Sequence, residues 1–202
     1  MAFRFQRANC VTLGAFNIYI IQPQWLTAKQ ILPSNLEVVI ESKMDEPGFR
    51  FSSDMLKVRW LITPTRIVIE TEDPNQDCGQ VMAQLLRWLP ETPLVAIGNN
   101  TYYVALQAER ADLPTPPEYP VPQPLADYSL RQRSFHVGVA VESCVYNLRL
   151  SLAPERTELL TNAHNPVGDE RGAEFAQEHA KRFMEHRRTG VELARHHLKV
   201  AF

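Results

Sequence analysis

Lys181, Arg182, Arg187, Arg188, Arg195 and Lys199 stand against only Glu185 and Glu192 from residue 181 to the end of the chain. A guanidinium presents paired N–H donors to a carboxylate or a phosphate, so this cluster can do anion recognition. Three uses compete. The cations can form a solvated helix face whose charge complements the helix C-terminus. They can meet an acidic protein partner or pack across a homodimer axis. They can contact nucleic-acid phosphate. A formal net charge of −2 at pH 7 and the absence of an aromatic-interleaved basic motif weigh against the third. The candidate partner- or nucleic-acid-binding residues are Arg182, Arg187, Arg188, Arg195 and Lys199.

The histidines invite a metal reading. His179 and His186 share a helical stripe with Phe175, Arg182 and Phe183. Metal-binding pairs on a helix stand three or four residues apart, whereas seven residues is about two turns, roughly 10 Å. His196 and His197 are adjacent and diverge around the helix. No metal and no cofactor is expected. Nucleophilic chemistry has no better support: there is no G-x-S-x-G elbow, and Cys10, Cys78 and Cys144 sit in apolar contexts. No P-loop or G-x-G-x-x-G sequence is present to cradle phosphate. Asp73 and Asp77 are four residues apart, but Asp73 reads as a helix cap rather than half of a carboxylate pair. No catalytic residue is named, and the reading leans away from an enzyme.

One further cluster has ligand-binding character. Asn99 and Asn100 follow Gly98 near the end of an apolar run, where a turn or bulge is the default reading. Two adjacent amides there can also hydrogen-bond a ligand or a partner's edge strand. His136 is the third possible ligand-binding residue.

The elements that must position these groups are legible around residues 57 to 106. Val58, Trp60 and Ile62 alternate in a strand, Thr63-Pro64-Thr65-Arg66 turns, and Ile67 to Ile69 returns. The spacing predicts a helix over Pro74–Leu89 with Asp73 as its cap, then a strand from Leu94 that Gly98-Asn99-Asn100 interrupts. Before this unit, Phe16 to Ile21 reads as a strand, Trp25 to Leu32 as a short helix and Leu36 to Glu41 as a strand. Phe49-Arg50-Phe51 reads as a short edge strand. After it, Phe135 to Val141 and Val145 to Leu152 alternate as strands, Thr157 to Thr161 returns, and a long helix follows over Ala173–Leu198, broken or kinked at Gly190.

Pro114 to Pro124 holds six prolines in eleven residues and reads as extended polyproline II. It serves as a stiff surface connector or, through its two P-x-x-P spacings, as a docking ligand. Thr63-Pro64-Thr65-Arg66 and Ala153-Pro154-Glu155-Arg156 share small-Pro-x-Arg, and each returning strand leads through Asp73-Pro74 or Asn165-Pro166 into a helix. The expectation is one α+β domain over residues 1–202. Its largely antiparallel sheet carries helices on one face, as two related strand-strand-helix halves. Those halves cover approximately 1–113 and 125–202, joined by the connector 114–124.

Composition bounds the rest. A chain of 202 residues, 45% hydrophobic and 22% charged, can bury a sizeable core. The longest apolar run is far too short to span a bilayer. The opening residues lack a continuous apolar stretch, so no signal peptide is expected. Three cysteines with no C-x-x-C spacing fit reduced thiols in the cytoplasm. The stretch Thr92 to Asn100 resembles part of a bacterial protein group to which no activity attaches. The functional expectation is a non-enzymatic interaction protein, a subunit of a complex or a homodimer, acting through its basic C-terminal helix. The alternatives are a nucleic-acid-binding protein using the same helix, and a small-molecule-binding protein or enzyme with a pocket between sheet and helices.

Overall fold

Alternation builds most of the molecule. In the computed structural model, which describes residues 3–33, 39–41, 48–53, 56–106, 133–153, 155–168 and 172–202, nine strands form one sheet. They are β1 (Arg4–Gly14), β2 (Val39–Glu41), β3 (Phe49–Ser53), β4 (Val58–Ile62), β5 (Arg66–Thr71), β6 (Leu94–Leu106), β7 (Arg133–Val141), β8 (Cys144–Leu152) and β9 (Arg156–Pro166). The strand order is β2-β3-β4-β5-β1-β6-β9-β8-β7. Every pairing is antiparallel.

This order is symmetric about the β1–β6 pair. Strands β6, β7, β8 and β9 repeat β1, β3, β4 and β5, both in sequence and in sheet position. Each meander then leads into a helix, α2 (Cys78–Leu86) or α3 (Gly172–Lys181). The two hairpin turns carry the same bond: Thr63 N–H donates to Arg66 C=O at 2.9 Å, and Ala153 N–H to Arg156 C=O at 3.0 Å. The repeat thus begins at β1 and again at β6. The expected Pro-rich connector 114–124 lies outside the described residues, as does Pro154.

The helices α2, α3 and α4 (Phe183–Leu198) cover one face of the sheet. Cys10, Trp60, Ile62, Ile67, Ile69 and Ile97 point into that layer and meet Met82, Leu85, Ala176 and Phe183. A short helix α1 (Pro23–Ala28) adds Leu26 to the same core. No helix among the described residues is long and apolar enough to cross a membrane.

Four expectations are corrected. The first strand is Arg4–Gly14, not Phe16–Ile21. Asn17 turns the latter run: its side chain accepts the Tyr19 N–H at 3.1 Å, and Tyr19 is left 83% exposed. Helix α2 is capped by Asp77, whose Oδ1 accepts from Gly79 N–H at 2.9 Å and Gln80 N–H at 3.1 Å. Asp73 instead closes a turn on Asn75 N–H and takes Lys57 Nζ at 2.7 Å. Strand β6 runs unbroken through Gly98-Asn99-Asn100, because ladders on both of its sides hold it extended. The C-terminal helix breaks at Arg182 (φ −85, ψ 13), not at Gly190. Gly190 is buried inside α4, where an added Cβ would lie 2.9 Å from Thr161 Oγ1. It serves close helix–sheet approach.

Candidate functional site

The buried stripe of α4 is Phe183, His186, Gly190 and Ala194, which seats the helix on β9, β8 and β6. The turn of the helix then carries Met184, Arg187, Arg188, Val191, Glu192 and Arg195 along one flank. These line an open groove of about 690 Å³ whose other wall is Tyr103 of β6 with Pro74 and Asn75 from the turn before α2. Among the described residues, three guanidinium groups thus meet one carboxylate around an apolar floor.

The three arginines are held differently. Arg187 donates Nη1–H to the Pro74 carbonyl at 2.5 Å and lays its guanidinium 4.3 Å over the Phe5 ring. Arg195 sits 5.4 Å over Phe202, whose ring meets Tyr103 edge-on at 4.9 Å. An aromatic bed of Phe3, Phe5, Tyr103 and Phe202 therefore fixes two cations without neutralising them. Burial raises the Tyr103 phenol above its usual range, opposed by the hydrogen bond from Arg187 and the nearby charges of Arg187 and Arg195. Arg188 is exposed and has no ion pair among the described residues. A planar carboxylate entering here would meet unneutralised N–H forks in an apolar setting.

A second groove, of about 480 Å³, lies beside Lys57, Arg59, Glu70, Glu72 and Asp73. Its cations are already matched: Arg59 pairs with Glu72 at 2.8 Å and Lys57 with Asp73 at 2.7 Å. Exposed pairs of that kind leave little surplus charge for a ligand.

Of the five basic residues singled out from sequence, Arg187, Arg188 and Arg195 converge on the α4 groove. Arg182 stands at the α3–α4 break, forked onto Glu185 at 2.9 and 2.7 Å, with Glu142 at 3.9 Å. Lys199 closes the helix in the left-handed conformation. Asn99, Asn100 and His136 do not form one pocket. Asn99 faces the helices, 4% exposed, and its amide has no hydrogen-bond partner among the described residues. Asn100 faces the other side of the sheet, and His136 is exposed on β7, three strands away.

The break at Arg182 also moves the histidines. His179 and His186 lie with ring centroids 5.8 Å apart and planes 12° from parallel, whereas seven residues of continuous helix rise roughly 10 Å. His186 Nδ1 is 2.7 Å from the Tyr146 hydroxyl in the interior. Burial pushes the His186 imidazole down to about 4 and the Tyr146 phenol up to about 12. Among the described residues no group of three His, Cys, Asp or Glu side chains is placed to hold a metal ion. The cysteines are free and buried, and burial raises each thiol.

Sequence reasoning missed a chain of amides on the face of the sheet opposite α2, α3 and α4. Asn147 donates to Asn162 at 3.1 Å, Asn162 to Asn100 at 2.7 Å, Asn100 to Asn9 at 2.8 Å and Asn9 to Glu70 at 3.4 Å. The four asparagines come from four strands, so no local pattern announces them.

Neither the family models nor the curated proteins compared with this chain contain a match to it.

Proposed function

We propose that this chain is a non-enzymatic interaction protein that works within a complex, and that the α4 groove grips an acidic segment of a protein partner. The observation that carries this reading is the convergence of Arg187, Arg188 and Arg195 on one apolar-floored groove where, among the described residues, Glu192 is the one carboxylate. Arg187 and Arg195 are pre-oriented by aromatic rings, which lowers the entropy lost when a carboxylate docks. The groove's length along the helix suits an extended peptide more than a compact metabolite.

The test titrates a fluorescent oligoglutamate peptide and a single-stranded oligonucleotide against the protein at low and high salt. The expected result is saturable peptide binding that weakens with salt and is lost in the Arg188→Glu/Arg195→Glu double variant, with the fold retained by circular dichroism. Peptide binding that the double variant retains, or no binding at low salt, would overturn the reading. Tighter binding of the oligonucleotide, with a steep salt slope, would transfer the groove to nucleic acid.

A further inference from the structure

Strand β7 (Arg133–Val141) is the outermost strand on its side of the sheet and has no described partner beyond β8. Soluble proteins blunt such edges with Lys, Pro, bulges or inward-pointing charges. Residues 134 to 141 read Ser-Phe-His-Val-Gly-Val-Ala-Val and carry none of these. The register with β8 is unbroken from Arg133↔Leu152 to Val141↔Cys144. Among the described residues, a long, regular edge of β-forming residues is therefore left with one row of backbone groups without a strand partner.

The identity of those groups follows from the hairpin. Val141 pairs with Cys144 across the two-residue turn Glu142-Ser143, with Glu142 at φ 54. The pair that closes such a turn is the hydrogen-bonded kind, so the odd-numbered residues bond to β8. Ser134, His136, Gly138 and Ala140 then point their N–H and C=O groups outward. The side chains of Phe135, Val137 and Val139 lie on the helix side, each only half-buried, and Val141 is 37% exposed.

We propose that β7 pairs antiparallel with β7 of a second copy of this chain about a two-fold axis at Val137. Only this register pairs all four outward residues, Ser134 with the second copy's Ala140 and His136 with its Gly138. It places the bulky imidazole over a position with no side chain: a Cβ at Gly138 would find only Asn147 Oδ1, at 3.8 Å. It sets no cation against a cation, since Arg133 faces Val141. On the helix side the Val137 side chains meet at the axis, flanked on each side by Phe135 against Val139, in the closely spaced kind of pair. The same strand supplies the size complement and the apolar stripe, which is what an isologous interface requires. Pairing along one strand buries less than a permanent dimer interface, so association is concentration-dependent. This interface is separate from the α4 groove.

The test is the mass in solution from low to high micromolar concentration, by light scattering, for the wild type and two variants. His136→Pro removes an outward N–H and leaves the β8 ladder intact. Val137→Lys sets two ammonium groups face to face at the axis. The expected result is a twofold rise in wild-type mass with concentration, and one-chain mass for both variants at every concentration with unchanged melting. Amides of Ser134, His136, Gly138 and Ala140 should gain hydrogen-exchange protection as the mass doubles. A wild type that stays at one chain, a doubled mass in a folded variant, or full protection of these amides at one-chain mass would overturn the proposal. If one variant fails to fold, the other decides.

Discussion

Asn100 donates its side-chain N–H to the side-chain oxygen of Asn9 at 2.8 Å across the strand pair where the two repeats meet. Asn9 and Asn100 stand directly opposite in the β1–β6 register, on the face away from α2, α3 and α4. From this pair the amide chain continues to Asn162 on one side and Glu70 on the other. Each amide donates in one direction and accepts from the other, so the order of the chain is set by the carboxylate at its end. The carboxylate can only accept, and it is also held by Arg7 at 3.1 Å.

The first prediction concerns that order. Asn100→Asp keeps the size and removes the donor, leaving two oxygens facing each other at the repeat junction. Stability should fall by about 1–3 kcal/mol, the penalty for an unmade, partly buried hydrogen bond. Asn147→Asp, at the exposed far end, should change much less. Chemical denaturation of both variants checks the contrast.

Gly190→Ala should destabilise, although alanine is intrinsically the better helix former by about 1 kcal/mol. The added Cβ would lie 2.9 Å from Thr161 Oγ1 and 3.0 Å from its Cβ, so α4 must lift off β9. A net loss of about 1–3 kcal/mol is expected from overpacking. A variant that melts higher than wild type would show that the helix has room to move.

Helix capping gives a paired test. Asp77→Ala should cost about 1 kcal/mol, because it strands two amide N–H groups of α2. Asp73→Ala should cost less, since Asp73 closes a turn and pairs at the surface. The reverse ranking would move the helix start to the upstream aspartate.

Acid should expose His186. Its folded value near 4 lies below the ordinary 6.5, so the unfolded chain binds a proton that the folded chain refuses. The stabilisation is fully present above pH 6.5 and is lost as pH falls from 6.5 towards 4, by roughly 3 kcal/mol. His186→Gln cannot titrate and still offers Tyr146 a hydrogen-bond partner, so its stability should be flat over that window. Asp73 and Glu185, whose carboxyls are lowered by Lys57 and Arg182 respectively, lose their contribution only at more acidic pH.

The arginines of the groove should separate by role. Arg187→Ala removes the Pro74 bond and the stacking on Phe5, and should cost about 1 kcal/mol of stability. Arg188→Ala should leave stability unchanged within the usual surface range of about 0.5 kcal/mol. Thermal melts of the two single variants check this.

Period-two alternation and turn chemistry determined by themselves that β4 and β5, and β8 and β9, are hairpins, and that one face of each is buried. Those are local properties: side chains alternate across a strand, and proline and asparagine choose turns within a few residues. The repeated small-Pro-x-Arg turn was legible for the same reason. The basic character of residues 181 to 199 was legible as composition, but its division into a groove and two separate cations was not.

The tertiary structure decided which aspartate caps α2, where the C-terminal helix breaks and that β6 passes straight through Gly98-Asn99-Asn100. In each case a distant partner overrode a local preference. Lys57 claims Asp73, Thr161 requires the glycine at 190, and strands on both sides hold β6 extended. The asparagine chain and the α4 groove are assembled from strands and helices far apart in sequence. Their geometry exists only once the sheet has closed, because a side-chain amide or a guanidinium does not reveal its partner until folding brings that partner within hydrogen-bond reach.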